Sequence, residues 1–212
     1  RRVNEKDLAE LDLSCWRVAG IGAEPISAEQ LHQFAECFRQ VNFDDKTFMP
    51  CYGLAENALA VSFSDEGSGV VVNEVDRDIL EYQGKAVAPG AETRAVSTFV
   101  NCGKALPEHG IEIRNEAGMP VAERVVGHIC ISGPSLMSGY FGDQVSQDEI
   151  AATGWLDTGD LGYLLDGYLY VTGRIKDLII IRGRNIWPQD IEYIAEQEPE
   201  IHSGDAIAFV TA

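Results

Sequence analysis

The sequence is short of positive charge. Sixteen Lys and Arg stand against 34 Asp and Glu, a formal net charge of −18 over 212 residues. Such a chain does not hold nucleic acid non-specifically, because that binding rests on cationic surface. It is equally unsuited to an anionic membrane face. Apolar runs near the ~20 residues of a membrane span are missing, and so is a signal peptide. The five cysteines, Cys15, Cys37, Cys51, Cys102 and Cys130, are odd in number and scattered, with neither a Cys-x-x-Cys pair nor a Cys/His metal spacing. Reduced, mostly buried thiols in a cytoplasmic protein are therefore expected. Internal repeats and low-complexity segments are also missing. The chain opens on Arg1-Arg2-Val3-Asn4 without Met and closes on a strand-like run, Ala206 to Val210. It reads as a piece of a longer protein, long enough to bury a sizeable core.

Against this acidic background the stretch from Gly154 to Glu192 stands out. Thr158-Gly159-Asp160 puts a carboxylate beside a glycine, where backbone can approach a ligand closely. Gly173-Arg174 follows a short apolar strand, Tyr168 to Val171. Arg174, Lys176, Arg182 and Arg184 then place four cations within eleven residues. A basic cluster in an acidic chain fits an anionic ligand, or else a solvated face. Thr-Gly-Asp taken alone is equally at home in an ordinary turn.

Taken in order, residues 4 to 13 predict a short helix, and Cys15 to Ala19 a strand. Ser27 to Gln30 fits a capping box ahead of a helix that carries Leu31, Phe34, Ala35 and Phe38 at helical spacing. A second strand at Thr47-Phe48-Met49 completes a parallel crossover unit. In such sheets ligands sit at the carboxyl ends of strands, here Gly22-Ala23-Glu24 and Tyr52-Gly53-Leu54-Ala55-Glu56. An aromatic beside a glycine can stack on a purine, and a carboxylate a few residues on can hold Mg2+, which favours oxygen ligands. The same five residues could be a plain strand-to-helix turn. From Ser64 to Thr98 clean periodicity is lost, apart from a possible helix at Asp76 to Gln83. So long a stretch is usually functional or mobile, or a variable surface loop. From Phe99 to Val171 short strands at even spacing predict a small barrel-like β subdomain. His32, His109, His128 and His202 have no telling spacing to Ser, Cys or a metal partner and read as structural. Beyond Lys176, Leu178 to Ile181 predicts a strand, Pro188 a helix start with Ile191, Ile194 and Ala195 as its stripe, and Ala206 to Val210 a further strand.

Tyr52-Gly53-x-x-Glu56, Thr158-Gly159-Asp160 and Gly173-Arg174, in this order, resemble the AMP-forming adenylating superfamily of acyl-CoA synthetases, peptide-synthetase adenylation domains, luciferases and fatty acyl-AMP ligases. Gly22-Ala23-Glu24-Pro25 resembles the segment lining that family's adenine and acyl site. The resemblance implies an α/β fold: part of a large N-terminal domain, with a parallel αβ layer and a β subdomain over about 99–172, ending near 175. Residues 176–212 would begin a small, mobile α+β C-terminal domain. It implies that Tyr52 and Gly53 contact adenine, Glu56 holds Mg2+, Asp160 holds the ribose hydroxyls of ATP, Arg174 contacts ribose or phosphate, and Lys176 is the hinge.

The 64–98 stretch followed by Val100-Asn101-Cys102-Gly103 looks most like the fatty acyl-AMP ligases. In those an insertion hinders the turn of the small domain toward its CoA-using conformation. The implied reaction activates a fatty carboxylic acid with ATP as acyl-adenylate, for transfer to the phosphopantetheine of an acyl carrier protein. A ligase using free CoA is the first alternative, and a non-catalytic nucleotide- or partner-binding piece the second. The family's phosphate loop is not in this chain, and its catalytic lysine would lie beyond Ala212, so the piece by itself is expected to be inactive. One departure from the pattern is Asp157, where a basic residue is common.

Overall fold

The computed structural model describes residues 8, 10–198, 200–202 and 204–210. Its first layer is the crossover unit: strand β1 (Ala19–Ile21), helix α1 (Ala28–Phe38) and strand β2 (Phe48–Leu54). β1 and β2 pair in parallel, with Ala19 opposite Phe48 and Ile21 opposite Pro50. The helix starts where the capping pattern places it, since the Ser27 hydroxyl accepts the Gln30 N–H at 3.3 Å. Its apolar face meets the sheet in a ring cluster: Phe34 lies 5.2 Å from Phe43 and 6.0 Å from Phe48 between centroids. β3 (Leu59–Phe63) returns antiparallel to β2, so the first sheet continues past the crossover. Of the helix expected over 4–13, residues 4–7 and 9 fall outside the described residues, and residues 10–13 are not helical. The Leu13 N–H donates to the Val41 carbonyl.

The 64–98 stretch holds more order than its sequence pattern implies. β4 (Val72–Asp76) leads into α2 (Arg77–Gln83), and β5 (Val96–Val100) returns to pair with β4. Asp76 caps the helix, accepting the Ile79 N–H at 3.0 Å and the Thr93 hydroxyl at 2.5 Å. Val75, Leu80 and Ala86 have no exposed surface and pack with Tyr163 and Tyr170. These buried residues, Val75, Leu80 and Ala86, stand five and six positions apart, a spacing of neither helix nor strand.

β6 (Lys104–Ala105) closes the first sheet, in the order β1-β2-β3-β6. The β subdomain follows as β7 (Gly110–Arg114), β8 (Gly127–Ser132), helix α3 (Gln144–Thr153), β9 (Leu156–Leu165) and β10 (Tyr168–Arg174). These strands form an open antiparallel meander, β10-β9-β8-β7, which is the form the expected barrel-like grouping takes. The β9–β10 hairpin turns on two residues, Asp166 (φ 54°) and Gly167 (φ 77°), the left-handed pair that suits strand twist. Val61 and Cys102 pack with Ile129, Ile131 and Leu169, so meander and first sheet share one core.

Last come β11 (Ile179–Ile181), β12 (Arg184–Ile186) and α4 (Pro188–Ala195), with Pro188 in its first turn. Residues 206–210 are not a strand, contrary to the sequence pattern. A strand needs a paired edge, and among the described residues these five have none. Pro199 lies outside the described residues. All five cysteines are free; Cys102 and Cys130 are buried as expected, whereas Cys15 and Cys37 are exposed. Burial pushes the Cys102 thiol up to about 12 and the Cys130 thiol up to about 11, so both stay protonated. No helix of the described residues is long and apolar enough to cross a membrane.

Candidate active site

The site grows from a break in the β8–β9 ladder. Cys130 pairs with Asp157 and His128 with Leu161, so Thr158, Gly159 and Asp160 oppose Ile129 alone. The extra residues leave the ladder as a bulge, and Gly159 takes φ 75° within it. Thr158 anchors the bulge twice: its hydroxyl donates to the Ile129 carbonyl at 2.9 Å and accepts the Asp160 N–H at 3.1 Å.

The Asp160 carboxylate then meets two other elements. Its Oδ2 accepts the Tyr52 hydroxyl at 2.6 Å, from β2. Its Oδ1 accepts Arg174 Nε at 3.1 Å, from the facing position on β10. Asp160 is 13% exposed and Arg174 71%, so the carboxylate is sheltered while the guanidinium reaches outward. Burial, with the Asp160 charge second, drives the Tyr52 hydroxyl far above the usual phenol range. Tyr52 is thus a fixed donor. Gly53 has its own physical reason. β2 slips register against β3 there, and a Cβ on Gly53 would lie 1.7 Å from the Leu59 carbonyl oxygen.

Glu56 sits in a single 3-10 turn after β2, Ala55–Asn57. Its Oε1 accepts the Tyr140 hydroxyl at 2.6 Å, and its carbonyl accepts the Met137 N–H at 2.7 Å. The loop between β8 and α3 therefore folds over it. Gly22, Ala23 and Glu24 leave the end of β1 exposed, and a Cβ on Gly22 would lie 2.9 Å from Cys51 Sγ. Tyr52, Asp160 and Arg174 are thus brought into contact, Gly22 abuts the residue before Tyr52, and Glu56 lies two residues past the end of β2. Lys176 stands apart, exposed in the turn Ile175–Asp177.

Several partners had no sequence signal. Tyr140 meets Glu56 across 84 residues. His128 Nδ1 lies 2.8 Å from Asp157 Oδ2. His109 Nδ1 donates to the Pro107 carbonyl at 3.0 Å, and its Nε2 lies 2.6 Å from the Ser135 hydroxyl. Beyond Lys176, Arg184 Nε pairs with Glu81 on α2, and Trp187 is 4% exposed among Val75, Leu80 and Ala86.

The profile of the AMP-binding enzyme family matches residues 2–141, and the chain belongs to that family. Within it the similarity runs to enzymes of fatty-acid activation. A Caulobacter vibrioides protein bearing an acyl-CoA synthetase name is 45% identical over 99% of this chain and 37% of its own length. The medium-chain-fatty-acid–[acyl-carrier-protein] ligase JamA of Moorena producens is 37% identical over 98% of this chain and 37% of its own. A solved structure from work on the fatty acyl-adenylate ligases of E. coli and L. pneumophila is 99% identical, with a TM-score of 0.98. It covers all of this chain and 38% of the solved one. The mixed α/β fold is thus that of adenylate-forming enzymes. The chain spans less than two fifths of the length of these relatives.

Proposed function

We propose that this chain is the nucleotide-holding part of an ATP-dependent ligase. That ligase activates a fatty carboxylic acid as acyl-adenylate and passes the acyl group to the phosphopantetheine of an acyl carrier protein. The single observation that carries the reading is the sheltered Asp160 carboxylate, fixed on a bulge by Tyr52 and Arg174. Two rigid oxygens at a strand break can take the two hydroxyls of a ribose, which sets the direction of the attached α-phosphate. In the reaction a carboxylate oxygen of the fatty acid bonds to the α-phosphorus while the bond to the β-phosphate oxygen breaks, and pyrophosphate leaves. Arg174 adds charge-assisted donors toward the ribose or phosphates. Tyr52 and Gly53, with Gly22, Ala23 and Glu24 beside them, form the adenine side. The chain's contribution is positioning and charge complementarity.

Glu56 suits Mg2+. It is a carboxylate, and no group of three acidic, His or Cys side chains among the described residues could form an all-protein cage. Mg2+ favours this arrangement, one or two carboxylates plus substrate phosphates. Bound there, it would neutralise charge on the phosphates. Tyr140 donates to Glu56 Oε1 in the structure, so a metal taking that oxygen would compete with the hydroxyl. Two substitutions in a full-length enzyme carrying this segment should therefore move the Mg2+ requirement in opposite directions. Glu56→Gln should raise the half-saturating Mg2+ concentration by about tenfold or more. Tyr140→Phe should lower it about two- to threefold, the scale of one exposed hydrogen bond. An unchanged titration for Glu56→Gln moves the metal ligand elsewhere.

The domain boundary is proposed at 175/176, with Lys176 as hinge, because the short turn Ile175–Asp177 separates meander from β11. Carrier protein is favoured over CoA by the packing of residues 72–86 against both the meander and Trp187. A CoA ligase remains the competing reading, and a product assay with both acceptors separates the two. The free cysteines accord with a cytoplasmic site of action.

A further inference from the structure

Asp157 is the one acidic departure at a position where a basic residue is common, and the structure gives it a partner. The Thr158–Asp160 bulge has two ends: Asp157, paired to Cys130, and Leu161, paired to His128. The His128 ring does not stay with its ladder partner. It reaches back across the mouth of the bulge, and its Nδ1 meets Asp157 Oδ2 at 2.8 Å. The other oxygen, Oδ1, accepts the Gly159 N–H at 2.9 Å. One carboxylate thus holds the strand on one side and the backbone of the bulge on the other. Thr158 makes the second tie, to Ile129 and to the Asp160 N–H.

We propose that His128 and Asp157 act as a positioning pair that closes the mouth of the bulge and fixes the Asp160 carboxylate for nucleotide. The inference rests on the ribose role proposed for Asp160. The pair is solvent-accessible, His128 at 25% and Asp157 at 46%, so it contributes little to global stability. Its effect is geometric. Asp160 is also tied to β10, in register with Arg174, and through its carboxylate to Tyr52 and Arg174. Freeing the bulge at its Asp157 end lets the turn through Gly159 shift and tilts that carboxylate. Small misplacements of a positioning group have large consequences for a bound substrate.

The pair predicts a split between kinetic constants that a purely structural role would not produce. In a full-length enzyme carrying this segment, His128→Ala should raise KM for ATP about fivefold. KM for the fatty acid and kcat should stay within about twofold, and the melting temperature within about 2 °C. His128→Asn places an amide N–H near the position of Nδ1 and should recover most of the ATP affinity. Should His128→Ala fail to fold, Asp157→Asn keeps the side-chain shape, weakens the acceptor that faces Nδ1 and should give the same split. Asp160→Ala is measured beside them. If it impairs ATP use while His128→Ala and Asp157→Asn leave KM for ATP unmoved, the positioning role is wrong and the ribose role stands. If Asp160→Ala itself leaves ATP use intact, both fall. If both KM values rise together with a large drop in melting temperature, His128 is structural and the inference is overturned.

Discussion

Asp160→Ala is expected to slow ATP–pyrophosphate exchange by about 30- to 1,000-fold in a full-length enzyme carrying this segment. That corresponds to about 2–4 kcal/mol of transition-state stabilisation, the scale of lost charge-assisted hydrogen bonds at a positioned group. The loss has two sources. In the proposed role the ribose hydroxyls lose their acceptor, so the α-phosphate is no longer aimed. In addition, the nearly buried Tyr52 hydroxyl loses its acceptor and Arg174 its partner. An unsatisfied buried donor costs about 1–3 kcal/mol of stability, so a lower melting temperature should accompany the kinetic loss. Asp160→Asn separates the two. Its amide oxygen can still accept from Tyr52, so it should fold nearly as well as the parent while exchange stays slow. Exchange within twofold of the parent for both variants would rule out Asp160 as the nucleotide anchor.

The second large effect is expected at the clamp beyond Lys176, the proposed hinge. Arg184 on β12 reaches back to α2, pairing through Nε with Glu81 and lying 3.8 Å from Asp78 through Nη2. Glu81 is 3% exposed, so its charge depends on that partner. Trp187 adds apolar contact with Val75, Leu80 and Ala86. The segment past Lys176 is thus held against residues 72–86 by Arg184, which faces Glu81 and Asp78, and by the Trp187 ring. Arg184→Ala strands the Glu81 charge. Because Arg184 is about one-third exposed, the penalty should be about 1–3 kcal/mol rather than that of a fully buried pair. If the docked arrangement disfavours use of CoA, that penalty should raise acyl-CoA formation roughly five- to hundredfold while acyl-AMP formation holds. Arg184→Ala combined with Glu81→Gln should return toward the parent ratio, since the stranded charge is gone. Excising residues 64–98 is a poor substitute, because it would strip Val75, Leu80 and Ala86 from beneath Tyr163 and Tyr170. An unchanged CoA product ratio in Arg184→Ala would mean the clamp does not govern the acceptor.

What was legible in the sequence were features whose cause is local. Ser27 and Pro188 announce helix starts because capping and a fixed φ act within one turn. The crossover from β1 to β2 follows from the helical spacing of Leu31, Phe34 and Phe38 between two strands, although the first runs Ala19–Ile21 and not Cys15 to Ala19 as expected. Asp160, Tyr52 and Arg174 were singled out by glycine neighbours, and they do meet. Within residues 64–98 the helix expected at Asp76 to Gln83 is present as α2, but the β4–β5 pairing stayed hidden because its core has distant partners: Val75 and Leu80 pack with Tyr163, Tyr170 and Trp187. The partner of Asp157 stayed hidden for the same reason. His128 lies 29 residues upstream, and a strand register, not a sequence spacing, joins them. The run from Ala206 to Val210 shows the converse. Its composition favours a strand, but strand formation is a property of a pair of edges.

The account is tested most directly by following one reaction to its products. A full-length enzyme carrying this segment would be incubated with a fatty acid, ATP, Mg2+, free CoA and a phosphopantetheine-bearing acyl carrier protein, with acyl and adenine species resolved by mass spectrometry. The predicted result is AMP released in step with acylated carrier protein, acyl-AMP as the species that accumulates when carrier is withheld, and little acyl-CoA. Release of ADP in place of AMP, or acyl-CoA formed in preference to acylated carrier protein, would contradict it.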